Sequence, residues 1–459
     1  MTLDRAAASE LERPIESLRD LVDYFRSGEK PRARWRVGIE HEKLSLRARV
    51  WEPVAYEGEG GIEALLRRLG DEPGWRPLTE DGRIVGLDGE GIGVSLEPGA
   101  QVELNGRPAA SLLETRGELL AHLALLRRLA DPLGITFLGL GAHPFHPTKE
   151  LPQVPRERYR IMRRYLPARG ELALDMMHAT ASVQASFDYC DEGDLVDKMR
   201  AALAVTPIAA ALFANSSLAL GRPSGFVSRR LHIWHHTDPE RTGLLPFAFD
   251  ADFGYARYAE WALDVPMFFL VRDGGYRPME GKTFRRFWRE GHEGERASLA
   301  DFERHLTTLF PEVRLKRLLE VRCADAVPAE LLCGVPALWK GILYDRDALA
   351  AAGALAADWS PEQRSAVHAD VARRGLAAET PGSRQRSGPI AALARELVAI
   401  ARQGLRRLAA RDGVPDEGGL LDPVEALLER GKSPGQIVLE RWQGEWAGSA
   451  DRLIEYARY

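Results

Sequence analysis

Four short stretches place charged or amide side chains two residues apart, where a water-soluble core would otherwise take apolar residues. They are Gly38-Ile39-Glu40-His41-Glu42, Ser95-Leu96-Glu97 followed by Gln101-Val102-Glu103-Leu104, Ser182-Val183-Gln184-Ala185-Ser186-Phe187-Asp188, and Glu320-Val321-Arg322. In a β-strand, residues two apart point to the same face. Glu40 then lies beside Glu42, Gln101 beside Glu103, and Glu320 beside Arg322. Taken singly, each pair also reads as the solvated face of an edge strand. Together they constrain the fold, because unpaired carboxylates on a buried face are costly. Two acidic strands side by side also repel unless a cation sits between them. Mg²⁺ is the natural cation, since it takes oxygen ligands and keeps positions for phosphate oxygens. Metal with carboxylates points to phosphate chemistry.

Val313 to Arg322 reads as one strand, with Arg314, Lys316, Leu318, Glu320 and Arg322 on one face and mostly apolar residues on the other. Lys316 and Arg322 are candidates to hold phosphates, Glu320 to hold a metal. A Gln oxygen at 184 suits a metal shell or a substrate amide. In Ser228-Arg229-Arg230-Leu231-His232-Ile233-Trp234, Arg230 is a candidate carboxylate clamp, because a guanidinium fork binds a carboxylate through two parallel hydrogen bonds. The histidines at 232, 235 and 236 do not have zinc-ligand spacing and read as structural. Pro266-Met267-Phe268 is a candidate apolar acceptor pocket.

The 459 residues suffice for one large domain or two to three ordinary ones. A net charge of −5 argues against a nucleic-acid or acidic-membrane surface. Three cysteines, Cys190, Cys323 and Cys333, do not make a secreted disulfide framework. Met1 to Tyr24 lacks the basic start and apolar core of a signal peptide, and no apolar run is long enough to span a bilayer. A cytoplasmic chain is expected. No Gly-rich phosphate loop of the Walker or dinucleotide type is present.

Periodicity predicts helices over 17–27, 61–69, 111–130, 159–166, 195–220 and 302–309. It predicts strands over 35–46, within 84–104, and over 135–142, 182–189 and 266–272. After Pro336 the chain reads as almost wholly helical, with a polar loop over 379–387. The expected organisation is a catalytic domain over 1–375 and a helical C-terminal region over 376–459 packed on it.

A series of motifs occurs in order along the chain. It runs Gly38-Ile39-Glu40-His41-Glu42-Lys43, Val94-Ser95-Leu96-Glu97-Pro98-Gly99-Ala100-Gln101-Val102-Glu103-Leu104, Phe213-Ala214-Asn215-Ser216, His232-Ile233-Trp234, Leu263-Asp264-Val265-Pro266-Met267, and Thr307-Thr308-Leu309-Phe310-Pro311-Glu312-Val313-Arg314-Leu315-Lys316-Arg317. The set resembles the glutamate–cysteine ligases of the plant and proteobacterial type. The resemblance implies an α+β, glutamine-synthetase-like catalytic fold: a curved antiparallel sheet forms a funnel, with helices outside. It implies a ligase that uses ATP and Mg²⁺ to activate the γ-carboxylate of glutamate as an acyl phosphate, which the amine of cysteine attacks. The product, γ-glutamylcysteine, is the first intermediate of glutathione synthesis. Residue logic alone leaves the acceptor amine open.

Carried onto this chain, the resemblance makes Glu40, Glu42, Glu97, Glu103, Gln184 and Glu320 the metal-facing set. Arg230 becomes the glutamate clamp, Lys316 and Arg322 the phosphate-side cations, and Gln184 and Met267 substrate neighbours. The implied partners are small molecules only, with no nucleic acid or membrane, in a monomer or homodimer. Met279 to Glu295 lacks the cysteines of the plant regulatory hairpin, so redox gating of that kind is not expected, nor is a plastid transit peptide.

Overall fold

The computed structural model describes residues 11–381 and 388–459. Residues 1–10 of the expected leaderless N-terminus, and 382–387 of the expected polar loop, lie outside the described residues. The main sheet is built from β1 (Val37–Arg47), β2 (Arg76–Glu80), β3 (Arg83–Asp88), β4 (Gly93–Leu96), β5 (Val102–Asn105), β6 (Ile135–Leu138) and β7 (Ser182–Phe187). Two-stranded ribbons join β8 (Leu218–Ala219) to β9 (Arg222–Pro223), β10 (Thr242–Gly243) to β13 (Phe310–Pro311), and β11 (Phe269–Arg272) to β12 (Gly275–Pro278). Strands β14 (Val313–Leu315) and β15 (Leu319–Asp325) complete the main sheet. Its order is β14-β15-β7-β1-β5-β4-β3-β2, and β6 pairs with the far end of β1. Every pairing in it is antiparallel. With helices packed on it, this is the expected α+β architecture.

Alternation along β1 separates two environments. Val37, Ile39, His41 and Lys43 are buried, whereas Glu40 and Glu42 on the opposite face keep partial exposure. The helix Gly334–Leu343 packs on β1 and β7, and the helix Glu192–Leu212 on β15. The latter is apolar all round over its second half and accordingly buried. It starts at Asp191, whose side chain accepts the Asp194 N–H at 2.8 Å. It ends at Leu212 rather than 220. Beyond it, Asn215 Nδ2 bridges the carbonyls of Gly139 and Ala326 at 2.7 and 2.9 Å.

The C-terminal helices are tied to this layer. A Cβ on Gly341 would lie 2.2 Å from the Ala401 carbonyl oxygen, and one on Gly404 2.0 Å from that of Gly341. The helices Gly334–Leu343 and Ala391–Asp412 therefore cross backbone to backbone. Tyr459 donates its hydroxyl to the Val327 carbonyl at 2.6 Å and sets its ring 4.9 Å from that of His41, edge to face.

The expectation of one strand over 313–322 is corrected. The segment is a hairpin turning at Lys316–Leu318, with Arg314 directly opposite Glu320. The turn lacks the Gly, Asn or Asp that marks most hairpins. Because its loop is three residues long, even-numbered residues stay on one face, and the expected grouping of side chains survives. Strand β2, an exposed edge strand containing Pro77, was not expected.

Candidate active site

Cross-strand register assembles the site from five strands. Glu40 stands opposite Gln184 of β7, and Glu42 opposite Glu103 of β5. Further out, Ser95 of β4 opposes Glu103, and Glu320 of β15 opposes Ser186. Directly opposed residues share a face, so Glu40, Glu42, Glu103, Gln184 and Glu320 converge. The turn after β4 adds Glu97, whose N–H donates to the Gln101 carbonyl at 3.0 Å. Gly99 lets this turn touch the helix Ala173–Ala179, since a Cβ there would sit 2.3 Å from the His178 carbonyl oxygen. Gln101 does not join Glu103. Its Oε1 accepts from Gly99 N–H at 2.8 Å and its Nε2 donates to the Thr180 carbonyl at 2.8 Å, fastening the turn.

The converged face has two electrostatic halves. In one, Glu320 is fully buried and receives Arg314 at 2.7 and 3.0 Å, Arg322 at 3.3 Å and Lys316 at 3.5 Å. Burial pushes its carboxyl up, but Arg314, Lys316 and Arg322 outweigh that and hold it well below the usual range. Arg322 also donates to Gln184 Oε1. Gln184 Nε2 then donates to Glu42 at 2.9 Å, and the Ser182 N–H donates to the other Glu42 oxygen at 2.7 Å. A chain Glu320–Arg322–Gln184–Glu42 thus crosses three strands, with the Gln184 oxygen committed to Arg322.

The other half holds carboxylates without cations. Among the described residues, Glu40, Glu42, Glu97 and Glu103 form no salt bridge. Glu103 accepts from Ser95 and Asn105 on one oxygen only, and Glu40 and Glu97 accept no side-chain or backbone hydrogen bond there. Burial first, then Glu320 and Glu103, drive Glu40 well above the usual carboxyl range. Burial and Glu103 push Glu42 up to about 7, against Arg230 and Arg322. Burial, Glu103 and Glu42 push Glu97 to about 8.

Free carboxylate oxygens under mutual repulsion are the donor set a hard divalent cation would relieve. Among the described residues no group of three or more His, Cys, Asp or Glu is placed to hold a metal ion by itself. An open set suits Mg²⁺, which binds through one or two carboxylates and completes its shell with water and substrate phosphates.

The remaining expected residues are placed as follows. Lys316 stands in the β14–β15 turn with its side chain 21 % exposed. Arg230 lies in the helix Arg229–His235, capped by Ser228. Its Nη2 donates to the Arg322 carbonyl at 3.0 Å, and its Nη1 stands 3.8 Å from Asp325. Asp325 is in turn gripped by Asn215, Ser216 and Ser228 at 2.7 to 2.9 Å, a support that no sequence spacing signalled. Met267 is 2 % exposed and belongs to the main core. His235 Nε2 faces His368 Nδ1 at 3.0 Å, and His236 Nδ1 faces the His232 carbonyl at 2.9 Å.

A family model described as glutamate-cysteine ligase family 2 matches residues 36–456. The chain belongs to this family. It is 42 % identical over 443 residues to the chloroplastic glutamate–cysteine ligase of Medicago truncatula, covering 96 % of this chain and 85 % of that one. The same identity and coverage of this chain hold for the chloroplastic enzyme of Arabidopsis thaliana, 82 % of which is covered. A glutamate–cysteine ligase from Francisella tularensis, solved in complex with AMP, shares the fold with a TM-score of 0.56 at 12 % identity, over 92 % of this chain and 87 % of that one. As a glutamate–cysteine ligase, the chain joins glutamate to cysteine in the first step of glutathione synthesis.

One expectation falls with these relatives. A cytoplasmic location does not stand, because the glutamate–cysteine ligases named above from plants, and those of Brassica juncea and Oryza sativa, are chloroplastic. A low cysteine count reports a compartment that keeps thiols reduced, and does not say which. All three cysteines are free, Cys323 and Cys333 being buried.

Proposed function

We propose that this glutamate–cysteine ligase uses ATP with Mg²⁺, and that its two electrostatic halves divide the work. Glu40, Glu42, Glu97 and Glu103 are the set from which the metal draws its one or two carboxylate ligands, with water and phosphate oxygens completing its shell. Lys316 and Arg322, anchored by Glu320, face the nucleotide phosphates, and Lys316, the more exposed, reaches furthest. Gln184 sets the distance between the halves by bonding Arg322 on one side and Glu42 on the other. Arg230 clamps substrate glutamate, and Met267 backs the acceptor side from within the core. When bound, Mg²⁺ supplies charge neutralisation on the transferring phosphoryl group.

The γ-carboxylate of glutamate attacks the γ-phosphorus of ATP and ADP leaves. The cysteine amine then attacks the acyl carbon, phosphate leaves, and the nitrogen gives up its proton. The chain's contribution is positioning and fixed charge, which suffices for phosphoryl transfer without a side-chain nucleophile. The observation that carries this reading is the contrast on one sheet face: four carboxylates without a cation beside one carboxylate with three.

The test is ADP release with ATP, Mg²⁺ and glutamate against a panel of amines, with the product identified by mass. An amide plus phosphate, formed fastest with cysteine, is expected. A stable phosphorylated product, or release no faster with cysteine than with other amines, defeats the proposal.

A further inference from the structure

Beside Arg230 the structure leaves three buried polar groups unanswered. Glu312, between β13 and β14, is 7 % exposed. Its backbone is satisfied, since its N–H donates to the Gly243 carbonyl and its carbonyl accepts from Arg322, both at 3.0 Å. Its carboxylate accepts no hydrogen bond among the described residues. Among the described residues its one ion-pair contact is His368 Nε2 at 3.9 Å, and burial holds that imidazole neutral, with its pKa down at about 3. Arg230 is 3 % exposed, and among the described residues its Nε has no partner; Trp234 Nε1, one turn along the same helix, has none there either. The Trp234 ring lies 5.7 Å from the Arg230 guanidinium and 6.0 Å from that of Arg322.

An unpaired buried carboxylate and unpaired buried donors are each expensive. Burial raises the Glu312 carboxyl, and the guanidinium charges of Arg230 and Arg322 pull it back, while burial holds His235 neutral with its pKa down at about 3. Arg322 joins the two sides, its N–H donating to the Glu312 carbonyl and its own carbonyl accepting from Arg230 Nη2, each at 3.0 Å, so the empty acceptor and the empty donors belong to one neighbourhood. A free α-amino acid complements both, since its carboxylate answers the donors and its ammonium answers Glu312.

We propose that Glu312 receives the α-ammonium of substrate glutamate while Arg230 takes its α-carboxylate, so that Glu312 selects a free amino acid over the same diacid without an amine. This rests on the reading of Arg230 as the glutamate clamp. A site with a buried group built for a substrate N–H rejects the analogue lacking it, because that group is then left unpaired.

The experiment compares L-glutamate with glutarate as a competitive inhibitor, in steady-state assays with ATP, Mg²⁺ and cysteine. Wild type should show a glutarate Ki at least about 30-fold above the glutamate KM, from loss of one charge-assisted hydrogen bond. Glu312→Gln should raise the glutamate KM by about 30-fold or more, with kcat and the glutarate Ki each changed by less than about 3-fold. Equal shifts in KM and Ki, or an unshifted KM, overturn the proposal, since a merely structural residue would move both ligands together. If the Gln variant does not fold, Glu312→Asp and the wild-type ratio decide. A wild-type Ki equal to KM overturns it, as does an Asp variant that weakens both ligands alike. Arg230→Lys separates the two readings. If it weakens both ligands while Glu312→Gln weakens neither, only the Glu312 assignment falls; if it also leaves both unchanged, the clamp falls with it.

Discussion

Replacing Glu320 with Gln and Glu42 with Gln should have opposite consequences, although both remove one carboxylate from the same sheet face. Glu320 is fully buried and receives two hydrogen bonds from Arg314, at 2.7 and 3.0 Å, with Arg322 and Lys316 at 3.3 and 3.5 Å. A Gln there offers one acceptor and turns an NH₂ toward a guanidinium. One charge-assisted bond is lost, about 1.5–3 kcal/mol, and three cations are left without their anion. Removing one member of a buried ion pair costs about 3–5 kcal/mol, a large share of the roughly 5–15 kcal/mol that holds a protein folded.

Glu42 instead faces Glu103 with no cation bonded to it, so its neutralisation relieves repulsion. Its hydrogen bond from the Ser182 N–H survives on the amide oxygen, and the Gln184 bond is lost, a penalty of about 1 kcal/mol offset by that relief. Urea unfolding in EDTA, followed through the ten tryptophans, gives the two midpoints at unchanged slope. ADP release in Mg²⁺ gives the activities. Glu320→Gln should shift the midpoint strongly, whereas Glu42→Gln should keep it and lose most activity. A Glu42→Gln protein destabilised as much as Glu320→Gln, yet active, would refute the division of the face into two halves.

The contribution of Glu42 and Glu97 to the stability of the metal-free protein, read as the difference between wild type and the Glu42→Gln and Glu97→Gln variants, should fall as pH rises from about 4.5 to about 8. Glu42 and Glu97 keep protons up to about 7 and about 8 when folded, against a usual value of 4.5, so the folded state binds more protons across that window. Saturating Mg²⁺ should flatten this slope in melting experiments, and a slope indifferent to Mg²⁺ would argue against these carboxylates as its ligands. Gly341→Ala or Gly404→Ala should cost about 1–3 kcal/mol or more by forcing the helices Gly334–Leu343 and Ala391–Asp412 apart. If the C-terminal helices and the sheet form one cooperative body, calorimetry will show one transition moved as a whole. A second, independent transition would separate them. Activity should be equal in reducing and oxidising buffer, and Cys190, although exposed, should alkylate slowly, because partial desolvation of its sulfur and the neighbouring Asp194 and Asp191 push its thiol up to about 12. Rapid alkylation at neutral pH would contradict that environment.

Much of the site was legible in one dimension because strand alternation is strictly local. Glu40 and Glu42, or Glu320 and Arg322, must share a face whatever the rest of the chain does. Even the hairpin read as a single strand kept its faces, because a three-residue turn preserves parity. The helix boundaries were less legible. The run 195–220 stays apolar beyond Leu212, and what stops the helix is the engagement of the Asn215 and Asp325 side chains with distant backbone and hydroxyl groups.

From local chemistry alone, then, this chain already specified acidic pairs on strand faces, a guanidinium ready for a carboxylate, and an ordered motif series matching its family. Only the three-dimensional packing settled which acids keep a cation and which go without. Glu320 captures Arg314, Lys316 and Arg322, while Gln184 spends its oxygen on Arg322 and Gln101 turns away to the Thr180 carbonyl. Among the described residues, the Glu312 carboxylate is left with no hydrogen-bond donor beside Arg230. Those outcomes depend on cross-strand register and on burial, and both are properties of residues far apart along the chain that no local pattern encodes.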